Sequence, residues 1–134
     1  MMNNTPICLL IDDDDDDEDI FRSALKELNG HIQCIVAKDE RQAFEILEHT
    51  NDLPDLIFLD LHLHQTSGIE CLFKIKKMPY LSHIPVYIYT SVADAKLEME
   101  SHKLGAAGFI RKPNSIQVLK ETLHHILSEL AIRH

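Results

Sequence analysis

A chain of 134 residues, 45% hydrophobic and 26% charged, is the size of one soluble globular domain that buries a core without disulfide or metal staples. Its formal net charge of −9 repels phosphate backbones and anionic bilayers, which sets aside nucleic acid and membrane as partners. Cys8, Cys34 and Cys71 are odd in number and far apart in sequence, and neither a basic leader nor a membrane-length apolar segment is seen. The expectation is a single cytoplasmic domain over residues 1–134 with reduced core thiols.

In chain order, strand and helix patterns alternate. Ile7 to Ile11 is a compact apolar strand, followed by the acidic run Asp12 to Asp19. Ile20, Phe21, Ala24, Leu25 and Leu28 then recur at helical spacing as far as Asn29-Gly30, a helix stop. Ile32 to Ala37 predicts a second strand, and Ala43, Phe44, Ile46 and Leu47 a second helix. Pro54 precedes the third strand, Asp55 to Asp60, and Ile69, Leu72, Phe73 and Ile75 give a third helix ending before Pro79. Pro85 opens a fourth strand, Val86 to Tyr89, which runs out at Thr90-Ser91. A fourth helix spans about Ala93 to Leu104 and is stopped by Gly105; Gly108 to Arg111 is a short fifth strand. Ile116, Leu119, Leu123, Ile126, Leu127 and Leu130 mark a last amphipathic helix. Five β/α units in strict alternation predict an α/β, doubly wound, five-stranded parallel sheet with right-handed crossovers.

The third strand is an apolar run that stops abruptly at a carboxylate, Asp60. Open α/β sheets place ligands at the carboxyl ends of their strands, so Asp60 would face a crevice. Asp12 and Asp13 end the first strand in the same way, and adjacent carboxylates there call for a cation. Hard oxygen ligands with room for water and a phosphate suit Mg²⁺ or Mn²⁺. The later acids, Asp16, Asp17, Glu18 and Asp19, fit the first turn of a helix, where the dipole favours negative charge. Thr90 offers a hydroxyl at the fourth strand end, and Lys112-Pro113 an ammonium at the fifth. Singly, these are a capping threonine and a surface lysine. Together they supply a metal-binding acid set and donors for a phosphoryl group, with attack by the Asp60 carboxylate giving an acyl phosphate.

The blocks Leu10 to Asp14, Pro54 to Asp60 with Gly68 downstream, Pro85 to Ser91, and Gly105 to Pro113 resemble, in order and spacing, the receiver domain of two-component response regulators. The resemblance runs the full length and implies a flavodoxin-like (β/α)5 fold with strand order 2-1-3-4-5. It makes Asp60 the phosphoacceptor. Asp13 and Asp60 would ligate Mg²⁺ directly, Asp12 through water, and His62 through its backbone carbonyl. Thr90 and Lys112 would contact the phosphoryl group, and Phe109 matches an aromatic position whose rotamer reports activation. The implied partners are a sensor histidine kinase or phosphotransfer protein, a downstream protein target, and a second copy docking through the fourth helix, fifth strand and last helix. With no segment after the last helix, the expectation is a stand-alone, non-enzymatic regulator that acts by protein contact, similar to chemotaxis and phytochrome-associated members.

The family often has a proline soon after the phosphoacceptor; here the chain reads Leu63-His64. The pair His62 and His64 has no companions that would make a transition-metal site. A rival reading is a Mg²⁺-dependent phosphatase of the haloacid dehalogenase type, which needs an acid two residues after its nucleophile. That place holds His62. A binding module that has lost phosphorylation is the third reading, against which stand the intact acid pair, Asp60 and Lys112.

Overall fold

The computed structural model describes residues 5–28, 32–63, 67–91 and 94–133, with backbone alone for 131–133. Its elements are β1 (Ile7–Ile11), α1 (Asp15–Glu27), β2 (Gln33–Ala37), α2 (Glu40–His49), β3 (Leu56–Leu59), α3 (Gly68–Lys77), β4 (Val86–Thr90), α4 (Ala95–Lys103), β5 (Gly108–Arg111) and α5 (Ile116–Arg133). The strands form one parallel sheet in the order β2-β1-β3-β4-β5, as expected.

Strand side chains alternate between two cores, which is why the central strands are apolar throughout. Leu9, Ile11, Ile57, Leu59, Val86 and Ile88 point to one face, where α2 and α3 bring Ala43, Leu47, Cys71, Leu72 and Ile75. Cys8, Leu10, Leu56, Phe58 and Tyr89 point to the other, under Phe21, Ala24 and Leu25 of α1 and Leu119, Leu123 and Ile126 of α5. Phe21 sits edge-on to Phe58 and Tyr89, with centroids 4.9 and 5.4 Å away. Each such pair adds about 0.5–1.5 kcal/mol beyond its buried area.

Polar residues close the ends of these elements. The side chains of Asp14, Asp39, Ser67 and Asp94 each accept a backbone N–H from the first turn of α1, α2, α3 and α4. Each cap contributes about 1 kcal/mol. Because Asp94 is the cap, α4 begins at Ala95 and not near Ala93, which lies outside the described residues. The expected stop at Asn29-Gly30 also lies outside them; the described helix ends at its cap, Leu28. At the end of α4, Gly105 takes φ +102°, a conformation that side chains disfavour. β3 is shorter than expected at both ends, whereas β4 continues through Thr90.

Gly68 opens α3 directly against the end of β3. A Cβ there would stand 2.3 Å from the Asp60 carbonyl oxygen and 2.5 Å from Leu61 Cα. Gly68→Ala should therefore destabilise the fold by about 1–3 kcal/mol through backbone displacement. A lowered urea midpoint at unchanged slope would register this, and an unchanged midpoint would contradict the contact.

Candidate functional site

The backbone ladder sets where each functional side chain leaves the sheet. Asp12 N–H donates to the Ala37 carbonyl at 3.0 Å, one residue beyond β1, and Asp60 N–H donates to the Ile11 carbonyl at 3.0 Å, one residue beyond β3. Lys112 N–H donates to the Thr90 carbonyl at 2.7 Å, one residue beyond β5. Asp12, Asp60, Lys112 and Thr90 thus share the carboxyl edge of one sheet. Asp12, Asp60 and Thr90 are buried, with Asp12 and Thr90 at 0% exposure.

Lys112 is the electrostatic centre of this edge. Its Nζ lies 2.8 Å from Asp12 Oδ2, 2.7 Å from Asp17 Oδ2 and 3.0 Å from Asp60 Oδ2. It also sits 5.4 Å from the centroid of the Tyr89 ring, a cation–π distance. Burial works against the ammonium's charge, but the three carboxylates together outweigh it and raise its pKa above the ordinary lysine value. Asp12 moves the other way from most paired acids. Burial pushes its carboxyl from 3.8 up to about 6, although Lys112 and the N–H of Asp14 pull it down. Asp12 Oδ1 accepts that N–H at 3.0 Å, while Oδ2 has ion-pair distance to Lys112 but receives no hydrogen bond of good angle.

Carboxylate oxygens of Asp12, Asp13 and Asp60 all fall within 4.8 Å of one another, the arrangement expected of the acid set. The orphaned, buried Oδ2 of Asp12 and the hard, all-oxygen donor set fit a divalent cation of the Mg²⁺ or Mn²⁺ kind. The side chain of His62 is exposed and not part of this group. Its backbone N–H donates to Asp60 Oδ1 at 3.1 Å, and His62 forms a backbone bridge with Ser67 that closes the loop. Leu63 is buried in the core, and His64, which stands where the family often has proline, lies outside the described residues.

Two contributors were not visible in the sequence. Position along the chain marks Asp17 only as a helix-dipole charge, yet it reaches Lys112 across 95 residues of chain. The signal lay in the cap: once Asp14 is the N-cap, Asp17 stands three residues on, and its own N–H bonds back to Asp14 Oδ1 at 3.0 Å. The contact of Tyr89 with Lys112 depends on β4 and β5 being neighbours. Phe109, the register partner of Ile88, is half-buried and packs against the α3–α4 side of the core.

A flavodoxin-like α/β sheet whose carboxyl edge gathers three carboxylates around one lysine ammonium defines a class of phosphoryl-handling domain. The chain belongs to the response regulator receiver domain family, whose model matches residues 8–124. It is similar to the chemotaxis protein CheY of Pseudomonas aeruginosa, with 28% identity over 91% of this chain and 96% of that one. Among solved structures, it is similar to the Mn²⁺-bound response regulator Rcp1, at 26% identity and TM-score 0.81, covering 92% of each chain. The phosphorylated cyanobacterial phytochrome response regulator RcpA is similar at 25% identity and TM-score 0.83, covering 91% of each chain. The chain spans 16% and 27% of the lengths of two larger curated relatives that it matches. The haloacid dehalogenase reading finds no support in these matches. Among the described residues no helix is long and apolar enough to cross a membrane.

Proposed function

We propose that this receiver domain accepts a phosphoryl group on Asp60 from a histidine kinase or phosphotransfer protein, with Mg²⁺ held by Asp12, Asp13, Asp60 and the backbone carbonyl of His62. The observation that carries the reading is the ammonium of Lys112, its side chain only 8% exposed, shared by Asp12 and Asp60 at the carboxyl edge. When bound, Mg²⁺ supplies positive charge to offset that of the phosphoryl oxygens. Asp60 is the nucleophile: one carboxylate oxygen bonds to phosphorus as the bond to the donor breaks, giving an acyl phosphate. Its other contacts orient it, since the His62 N–H and the Lys112 ammonium each fix one oxygen. Lys112 already stands where new negative charge would develop, and the hydroxyl of Thr90, at the end of β4, supplies a further donor.

The output is a population shift rather than catalysis. Thr90 and its loop would be drawn toward the phosphoryl group, and Phe109 on the adjacent strand would follow, re-shaping the face built by α4, β5 and α5. A downstream protein or a second copy of the chain would dock there, in the cytoplasm. Support comes from the place of Phe109, half-buried one strand from the site and itself lining, with Ile110, a groove between β5 and α5.

Incubation with a small phosphodonor and Mg²⁺, followed by intact mass, tests the reading. One added, hydroxylamine-labile phosphoryl group is expected. Sustained turnover of many phosphoesters without an adduct would restore the phosphatase, and no reaction would leave a module without phosphotransfer.

A further inference from the structure

Cys8 and Cys34, distant in sequence, are register partners on the adjacent parallel strands β1 and β2. Register partners on neighbouring parallel strands present their side chains to the same face, and both cysteines pack in the core beneath α1. Neighbouring strands lie about 4.7–4.9 Å apart. That is inside the roughly 4.4–6.8 Å separation of Cα atoms that a disulfide spans.

The two thiols are not equivalent. Cys8 is fully buried, whereas Cys34, on the edge strand, is half-buried and lines a groove of about 610 Å³ shared with Asp19, Arg22, Ser23 and Lys26. Arg22 Nη1 donates to the Cys34 carbonyl at 3.1 Å, which anchors a guanidinium beside the accessible thiol. The hydrogen bond between the thiols draws Cys34 below the ordinary thiol range, with Arg22 assisting against burial and against the Glu18 carboxylate that pairs with Arg22. The same bond, with burial, holds Cys8 well above that range. Cys71 lies on the opposite face of the sheet, and burial pushes it up to about 12. An accessible, cation-assisted thiol backed by a second thiol is the arrangement of an attacking and a resolving cysteine.

We propose that Cys34 and Cys8 form a redox site, in which a peroxide entering the groove oxidises Cys34 and Cys8 closes a disulfide onto it. The Cys34 thiolate sulfur attacks one peroxide oxygen, the O–O bond breaks, and hydroxide leaves with a proton as water. The resulting sulfenic acid is attacked at sulfur by Cys8, which forms the S–S bond and expels the sulfenic oxygen as a second water. Two electrons pass from the thiols to the peroxide, and a dithiol reductant reverses the bond by exchange. The link would tie the edge strand to β1, the strand pair that also carries the Asp12 to Ala37 hydrogen bond at the acidic site. It does not depend on phosphorylation of Asp60.

The test is exposure of fully reduced protein to hydrogen peroxide, removal of the peroxide, labelling with N-ethylmaleimide in denaturant so that buried thiols react, and non-reducing peptide mapping. The expected product is monomeric, lacks two hydrogens, carries maleimide only on Cys71, and yields a Cys8–Cys34 linked peptide that a dithiol dissolves. In Cys8→Ala, Cys34 should instead accumulate a dimedone-reactive sulfenic acid. Three maleimides after peroxide, a link through Cys71, or a bond only between chains would overturn the proposal. The wild-type map decides the matter even if the variant folds poorly.

Discussion

Asp60→Asn should carry no hydroxylamine-labile phosphoryl group under conditions that load one onto the wild type, a fall to the detection limit. The amide has no anionic oxygen to attack phosphorus, and it removes one of the acids grouped within 4.8 Å. It keeps an oxygen able to accept the His62 N–H, so the loop after β3 should survive, and circular dichroism should match the wild type. Asp12 and Asp13 remain in the variant as neighbouring carboxylates. Label appearing on either would show that the cluster, and not the strand-end position of Asp60, selects the acceptor.

Charge balance around Lys112 should dominate stability when no divalent cation is added. Lys112→Ala leaves buried Asp12 and Asp60 without their ammonium, and loss of one partner from a buried pair costs about 3–5 kcal/mol. Neutralising Asp12 should act in the opposite direction. Its folded pKa of about 6 stands above the ordinary 3.8, so the folded state binds the proton more tightly than the unfolded chain. That advantage is complete below about pH 4 and is lost as the pH rises through about 6. An ionised Asp12 at pH 7 therefore costs about 3 kcal/mol, from roughly two pKa units at 1.36 kcal/mol each. Asp12→Asn should exceed the wild type by up to about that amount at pH 7, and match it near pH 4. Taking the difference between the two proteins removes the other carboxylates from the comparison.

Mg²⁺ links the two variants. It binds the native site and not the unfolded chain, so at a hundredfold excess over its dissociation constant it adds about 2.7 kcal/mol to the wild type. It should recover part of the Lys112→Ala loss and add little to Asp12→Asn. Urea titrations with and without Mg²⁺ measure all of these shifts. A Lys112→Ala variant as stable as the wild type would show that the ion pairs contribute nothing, and an unmoved wild-type midpoint in millimolar Mg²⁺ would remove the metal from the reading.

Much of this architecture was legible because its causes are local. An apolar run such as Leu56–Leu59 admits few environments other than a strand covered on both faces, and five such runs alternating with helical spacing leave little choice but a parallel sheet. Strand ends are equally local, so Asp12, Asp60, Thr90 and Lys112 could be assigned to one edge from where each apolar run stops. Helix starts were read less well, since a cap is a matter of one side chain and one N–H. Asp94 and Asp14 each shifted an expected boundary or role.

What remained hidden depends on which strands become neighbours. The partner of Lys112 in α1, Asp17, is separated from it by 95 residues and becomes a partner only when the sheet sets the carboxyl ends of β1 and β5 along one edge. The raised carboxyl of Asp12 is likewise a product of burial, which no residue type announces. Cys8 and Cys34 make the same point most directly. The sequence determined two unrelated core thiols, and only the β1–β2 register, set by packing of whole strands, placed them side by side.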